Sequence, residues 1–194
     1  MRKRLLGGSL LLILVALFAY GTWAYFTAEA RTTNVITTGT IDISLQETTK
    51  DADGNQVAFP GEGISGVMPG VSVDKLVTVK NEGTSDAWIR VGVVNKITAA
   101  DGKTDLPLTL AKGGDVLSFD IQSKWTESGG YYYYNDPVGA NESTEPLFTQ
   151  VTFNTAMGNE YQGCTAYVDV VAEAVQVKNN GTSATEAAGW PAAD

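Results

Sequence analysis

The chain has 194 residues, of which 13 are basic and 22 acidic, and it contains no histidine. The lack of histidine removes the usual general base near neutral pH and the commonest metal ligand, which argues against most hydrolases and zinc enzymes. The net charge of −9 argues against nucleic acid as a partner, because an acidic surface repels a phosphate backbone. We therefore expect a non-enzymatic protein without a cofactor.

The N-terminus has the pattern of a secretory signal peptide. Three basic residues, Arg2, Lys3 and Arg4, precede an apolar run over residues 5–20. This run is too short to span a bilayer about 30 Å thick, which takes about 20 apolar residues, and its length is typical of a signal. We predict secretion to the extracellular matrix or cell surface, with membrane contact only before cleavage. An uncleaved N-terminal anchor is the alternative.

Small residues mark the predicted cleavage site. Signal peptidase needs small side chains at positions −1 and −3, and Thr22 with Ala24 supplies them directly after the apolar run. Residues 1–24 then form the signal peptide and Tyr25 begins the mature chain; cleavage after Ala30 is the alternative. The mature chain keeps ten basic residues against 22 acidic ones, which is a net charge of −12.

Alternation of apolar and polar residues predicts β-strands over most of the remaining chain. The longest alternating run extends from Cys164 to Ala174. Shorter runs of the same kind lie at residues 41–46, 73–79, 87–93, 118–122 and 150–154. Strands with one apolar and one polar face, separated by turns rich in Gly and Asp, are typical of antiparallel sheets. We predict an all-β fold, an antiparallel β-sandwich of jelly-roll type, over residues 37–177.

Three segments depart from this alternation. Asp74, Lys75 and Leu76 disturb the period of their strand as a β-bulge would. Residues 98–112 are compatible with a short helix or with an irregular insert. Residues 178–194 are rich in Asn, Gly, Thr, Ser and Ala, which predicts a disordered C-terminal tail.

Four consecutive tyrosines, residues 131–134, follow a pair of glycines. On a strand, two of them would point to each face of the sheet. One pair is then expected in the core, and the other at a solvent-exposed edge or at an interface, where tyrosine is favoured.

Asp51, Asp53 and Asn55 space three oxygen ligands two residues apart, as in a calcium-binding loop. The glycine needed at the sixth position is replaced by Gln56, so a hairpin turn is the alternative. Beyond this possible calcium loop we expect no metal site.

Cys164 is the only cysteine and cannot form an intramolecular disulfide. We expect it to be a small buried apolar residue, with an intermolecular disulfide as the alternative.

Four segments, taken together, resemble the TasA/camelysin family of exported proteins of Gram-positive bacteria. They are Gly21-Thr22-Trp23-Ala24-Tyr25-Phe26, Thr38-Gly39-Thr40-Ile41-Asp42-Ile43-Ser44, Met68-Pro69-Gly70 with Val79-Lys80-Asn81-Glu82-Gly83-Thr84, and Glu160-Tyr161-Gln162-Gly163. The first two are specific in combination, whereas the Pro-Gly and Asn-Glu-Gly pieces are weak alone. The resemblance covers the signal, both ends of the domain and a middle pair of strands.

The resemblance implies a jelly-roll protein that is exported with a SipW-type signal peptidase. It implies self-assembly into fibres of the biofilm matrix, with other matrix components as further partners. In this family the mature N-terminal segment of one subunit is thought to complete the sheet of the next. Camelysins have been classified as metallopeptidases, but this sequence has no histidine and no zinc-type ligand spacing, so we expect no peptidase activity.

The residues at the predicted mature N-terminus fit a donated strand. Phe26, Ala28 and Ala30 share one side of an extended segment, while the residues between them share the other. An apolar face combined with free backbone groups is what a strand added to another sheet needs. We assign residues 25–36 as this donor-strand segment; the alternative is a first strand that folds back onto its own domain. A monomeric surface adhesin or fibre accessory protein, and a secreted peptidase, remain the other functional hypotheses.

Overall fold

The computed structural model describes residues 27–31, 34–35, 41–51, 53–61, 63–66 and 68–192. The predicted signal peptide, with Thr22 and Ala24, lies outside the described residues, as do Tyr25 and Phe26. Within the described part of the chain, no helix is long and apolar enough to cross a membrane.

The described residues form fourteen strands and a short 3₁₀ turn at Asn159–Tyr161. The strands are β1 (Thr27–Arg31), β2 (Asn34–Val35), β3 (Ile43–Lys50), β4 (Gln56–Ala58), β5 (Ile64–Ser65), β6 (Ser72–Asp74), β7 (Leu76–Asn81), β8 (Ala87–Thr98), β9 (Asp105–Leu106), β10 (Leu117–Phe119), β11 (Trp125–Ser128), β12 (Tyr131–Tyr134), β13 (Gln150–Phe153) and β14 (Thr165–Gln176).

The strands assemble into three antiparallel sheets. The largest has the order β11-β12-β8-β14-β1-β2, with β5 also paired to β14 and β9 to β8. The two smaller sheets have the orders β10-β13-β6 and β4-β3-β7. The prediction of an all-β fold built from antiparallel sheets is therefore confirmed.

The two longest strands, β8 and β14, form the centre of the large sheet. They pair along twelve residues each, from Ala87 opposite Gln176 to Thr98 opposite Thr165. The alternation predicted for the last strand is present, because its even-numbered residues from Ala166 to Ala174 are buried. These side chains, each opposite an inward-facing residue of β8, form one wall of the core.

A large apolar core joins the inner face of this sheet to the two smaller sheets. The strand pair β3 and β7 contributes buried residues such as Ile43 and Val77, and β13 contributes Phe153. Burying a side chain of this size stabilises the fold by about 1.5–3 kcal/mol. Cys164 is fully buried in the same core, as predicted, and burial raises the pKa of its thiol.

Lys75 marks a change of sheet rather than a bulge within one strand, which corrects the sequence interpretation. The residues before it belong to β6, which pairs with β13, and the residues after it belong to β7, which pairs with β3. The amide of Lys75 donates to the carbonyl of Thr149 at 3.0 Å, so the chain is held at the point of transfer. A disturbed period does not distinguish a bulge from such a transfer, because both interrupt the ladder.

The C-terminal segment is packed on the domain over residues 178–192, so the predicted disorder is wrong for that range. Ala184 and Ala187 join Trp88 and Val175 in a second apolar cluster on the outer face of the large sheet. The indole N–H of Trp88 donates to the carbonyl of Asn180 at 2.9 Å. The composition predicted disorder because the segment has few large apolar residues. Its sequence does not show that an apolar surface elsewhere in the fold can bury its small residues.

The other two atypical segments also have a defined structure. Residues 98–112 are irregular apart from the short strand β9, so the irregular alternative is the one observed. The four tyrosines form β12, whose partners are β11 and β8. Tyr134 is buried in the core, and Tyr131 and Tyr133 contact Arg90, which confirms the expected split between two faces.

Candidate functional site: the edge of strand β14

β1 lies against β14 of its own chain. The two strands pair antiparallel over four residues, from Thr27 opposite Val175 to Ala30 opposite Ala172. Of the two predicted alternatives for the N-terminal segment, the structure thus contains the strand folded back on its own domain. Ala28 and Ala30 stand opposite fully buried alanines of β14. Opposite residues share a face in such a ladder, so this register places positions 28 and 30 on the same face as those alanines.

β2 turns back along the outer edge of β1. Arg31 pairs with Asn34 and Ala30 with Val35. β2 is therefore the outermost strand on this side of the large sheet.

The described residues leave part of the edge of β14 uncovered. On the side that carries β1, β14 also pairs with β5, through Ala166 opposite Ile64 and Thr165 opposite Ser65. Among the described residues, none pairs on this side with residues 167–171, which lie between β5 and β1. A row of unpaired backbone N–H and C=O groups is a template on which a further strand can form.

An open cavity of about 430 Å³ adjoins this uncovered stretch. Residues 166–169 of β14 line one side of it, and Glu47 of β3, Phe59 and Lys75 line the other. Lys75 is buried, and its ammonium lies 3.1 Å from Glu47 Oε2 and 4.2 Å from the centre of the Phe59 ring. The cavity thus has a charged, hydrogen-bonding wall opposite the strand edge.

Glu47 has one carboxylate oxygen that its surroundings do not satisfy. Oε2 is paired with Lys75, whereas Oε1 is buried and has no hydrogen-bond partner among the described residues. Leaving a buried acceptor unpaired costs about 1–3 kcal/mol, and more for a charged group. The cavity therefore presents an acceptor that would gain from a donor supplied by an incoming chain.

Arg90 supports the outer face of β14 beside β1. Its Nε lies 2.5 Å from Glu173 Oε2, and its other nitrogens donate to Tyr133 Oη at 3.3 Å and to the carbonyl of Pro191 at 2.8 Å. Burial alone would lower the pKa of Arg90, but the hydrogen bonds to Tyr133 and Glu173 outweigh it and raise that pKa. The Arg90 cation thus offsets the buried carboxylate of Glu173, at the β14 position that pairs with β1.

Aromatic rings hold the guanidinium from two sides. Its carbon lies 3.9 Å from the centre of the Tyr131 ring and 4.8 Å from the centre of the Trp190 ring. Tyr133 meets Trp190 edge to face at 5.8 Å. Such cation–π and aromatic contacts are worth about 0.5–2 kcal/mol each. The C-terminal segment and the central strands are joined through this cluster.

The predicted calcium loop is a tight hairpin between β3 and β4. Asp51 Oδ1 accepts the amides of Asp53 and Asn55 at 3.0 and 2.8 Å, and its Oδ2 accepts the Asn55 amide side chain at 3.3 Å. These bonds to Asn55 and to the loop backbone lower the pKa of Asp51. The Asp51 carboxylate thus closes the turn, which is the hairpin alternative. In the described part of the chain, no three His, Cys, Asp or Glu residues are grouped to share a metal ion.

Sequence reasoning identified the N-terminal strand but missed the cavity wall beside it. Glu47 and Phe59 gave no signal, because their roles depend on which strands meet in space. Lys75 did give one, since it interrupts an otherwise apolar strand between Val73 and Val77.

No protein-family model matches the chain, and neither a curated protein nor a solved structure matches it significantly. Its function is therefore inferred from the edge of β14 and from the sequence.

Proposed function

We propose that the mature protein is a structural subunit of extracellular biofilm-matrix fibres, in which the N-terminal strand of one copy lies against β14 of the next. The observation that carries this proposal is the placement of β1, which joins the sheet through four described pairs and leaves an uncovered stretch beside it. A strand in this position can be replaced by the same strand of another copy, because both offer the same backbone groups. The predicted signal peptide and the resemblance to the TasA/camelysin family support the same function.

Exchange between copies requires an accepting edge that is already formed, because the new contacts only about offset the cost of ordering the strand. A straight strand over residues 27–34 from another copy could replace the four pairs and add bonds along residues 168–171 of β14. Each net backbone hydrogen bond contributes about 0.5–1.5 kcal/mol, and burying Phe26 would add about 1.5–3 kcal/mol. Ordering the strand costs about 1–2 kcal/mol per residue. β14 is held by β8 along its whole length, so no further cost falls on the accepting edge.

Export and cleavage complete the proposal. A SipW-type signal peptidase would cleave after Ala24 and free Tyr25 as the new N-terminus. Before cleavage the segment is tethered at the membrane and cannot reach another copy, so cleavage acts as the assembly switch. The finer fold we propose is a jelly-roll sandwich, with the large sheet packed on the two smaller ones through their shared core. We propose no enzymatic activity and no cofactor.

Deletion of residues 25–33 tests this function. The secreted variant is expected to remain folded by circular dichroism and to form no fibres in negative-stain electron microscopy, whereas the wild-type protein forms them. Normal fibres from the deletion variant, or a variant that cannot fold, would contradict the proposal.

A point substitution gives an independent readout. Phe26→Asp is expected to reduce fibre formation strongly without changing the circular dichroism of the monomer, because burying an unpaired carboxylate at the interface between copies is costly. Met68→Asp is the matched control, since Met68 is 62% exposed and lies in a turn outside the cavity lining. Equal effects of the two substitutions would mean that added charge alone hinders assembly.

A monomeric surface protein is the second candidate function. The pairing of β1 with its own β14 favours it, since a copy that completes its own sheet does not need a neighbour. A secreted protein that stays monomeric at high concentration, and that shows only single particles and no fibres in electron micrographs, would support this alternative.

A further inference from the structure

We propose that the cavity beside β14 is a recognition site for Asn34 of the neighbouring copy's N-terminal strand. The inference rests on the proposed function and adds to it a residue that aligns the incoming strand. It arises from the register of β1, the uncovered length of β14 and the chemistry of the cavity wall.

The register of β1 determines where each following residue would lie on a straight strand. Continuing the four described pairs along β14 leads past residue 171 toward β5, which already occupies Ala166. Gly63, which precedes β5, lies against the side chain of Tyr167, so an incoming strand has room to extend as far as Asn34. The added pairs would be Arg31 with Val171, Thr32 with Val170, Thr33 with Asp169, and Asn34 with Val168.

This register brings Asn34 to the cavity. Val168 is 7% exposed, lies on the inward face of β14 and lines the cavity. Since directly opposite residues share a face, Asn34 of the incoming strand would lie on the same inward face. Glu47 and Lys75 line the facing wall of that cavity.

The chemistry of an asparagine side chain matches that wall. Its amide N–H₂ can donate to the buried, unpartnered Oε1 of Glu47, and its carbonyl oxygen can accept from the ammonium of Lys75. An apolar residue at this position would leave Oε1 unsatisfied, and an acidic one would face the Glu47 carboxylate. Asn34 is thus matched to the Glu47–Lys75 pair by both its donor and its acceptor.

The same residue cannot occupy this position while β1 and β2 form their hairpin. In the structure Asn34 pairs with Arg31 on the far side of β1 from β14. The contact with Glu47 therefore becomes available only when the strand is straight. The cavity consequently favours a straight strand over the β1–β2 hairpin, and it fixes the register of the strand that a neighbouring copy donates.

Substitutions of Asn34 test the inference. The measurement is the critical concentration for fibre formation of the secreted protein, determined by sedimentation. Asn34→Asp is expected to raise it about tenfold or more, and Asn34→Leu about tenfold, because both leave Glu47 Oε1 without its donor. Asn159→Asp adds the same charge at an exposed position outside the cavity and should leave the critical concentration unchanged. Unchanged circular dichroism of each monomer establishes that folding is intact.

A compensating substitution makes the test specific. Combining Asn34→Asp with Glu47→Gln removes the repulsion and lets the new carboxylate pair with Lys75, so the critical concentration should return to within about threefold of wild type. If the double variant does not fold, Asn34→Leu alone decides. Should all Asn34 variants assemble like wild type while the deletion of residues 25–33 abolishes fibres, this inference is wrong and the proposed function stands. If the deletion variant also assembles, both are wrong.

Discussion

Arg90 and Glu173 stand directly opposite each other on β8 and β14, with Arg90 Nε 2.5 Å from Glu173 Oε2. Both side chains are more than nine-tenths buried. The pair connects the strand that would accept a donor to the aromatic cluster of the C-terminal segment. The outer face of the large sheet is therefore stabilised by a buried ion pair as well as by apolar contacts.

Replacing Arg90 is expected to be costly even when its charge is kept. Arg90→Met removes one partner of a buried pair and should lower the free energy of unfolding by about 3–5 kcal/mol. Arg90→Lys should recover less than half of this loss, because an ammonium cannot both pair with Glu173 and stack on Tyr131 as the planar guanidinium does. Urea unfolding followed by circular dichroism measures both variants. A Lys variant as stable as wild type would show that charge alone is needed.

Asp120 gives the fold a pH dependence in the acidic range. Burial opposes its charged form, but bonds from the Thr149 hydroxyl and from the amides of Gln150 and Thr149 outweigh this and lower the pKa of Asp120. A lowered pKa means that the stabilisation is present above the unfolded-state pKa, about 3.9, and is lost as the pH falls through the folded-state value. Because Asp120 is exposed, we expect a modest contribution.

Asp120→Asn should therefore lower Tm by about 2–4 °C at pH 7, as a loss of about 1 kcal/mol does in a chain of this size. The difference from wild type should shrink as the pH falls below about 3.9, because the wild-type protein then loses a stabilisation that the Asn variant never has. Asp115→Asn is the control, since Asp115 contributes its backbone carbonyl rather than its side chain to the bond with Asn154. A difference that grows as the pH falls would contradict this assignment.

Cys164 is expected to be unreactive in the folded protein. It is fully buried, and burial raises the pKa of the thiol, so little reactive thiolate is present at pH 8. Ellman's reagent should label less than about a tenth of the thiol in an hour without denaturant, and all of it within minutes in guanidinium chloride. Lys112→Cys combined with Cys164→Ala places a thiol at an exposed turn and should react at once. Disulfide-linked dimers of the wild-type protein would overturn the expectation.

The local structure of this protein could be read from its sequence to a large extent. The run from Cys164 to Ala174 predicted the inward face of β14, and the alternation around Ile89 predicted β8, because a period of two reports directly on a strand with one buried face. The N-terminal segment was predicted to be extended, and residues 27–31 form a strand that pairs with Ala172 and Ala174 among others.

The arrangement of these strands in space could not be read in the same way. Periodicity does not say which strands are neighbours, so the transfer between sheets at Lys75 and the approach of Glu47 to β14 were not predictable. The C-terminal segment was misjudged for a related reason. Trp190 is stabilised by Arg90 and Tyr133, which are far away in sequence and become neighbours only in the folded sheet.

The central claim is that β1 of one copy lies against β14 of another in the fibre, and cross-linking between two different copies tests it most directly. Opposite Cα atoms of an antiparallel pair lie about 4.5–5.5 Å apart, within the range a disulfide spans. Ala30 and Ala172 form such a pair. One protein carries Ala30→Cys and the other Ala172→Cys, both with Cys164→Ala, so a disulfide linking positions 30 and 172 can form only between copies.

The two proteins are mixed, assembled into fibres and oxidised, and the linked peptides are identified by mass spectrometry. A mixture of the Ala172→Cys protein with a Lys112→Cys protein is the control. The account predicts abundant disulfides between positions 30 and 172 and few in the control. Fibres that assemble normally but contain no such link, while a double variant with both substitutions forms it within single chains, would contradict the account.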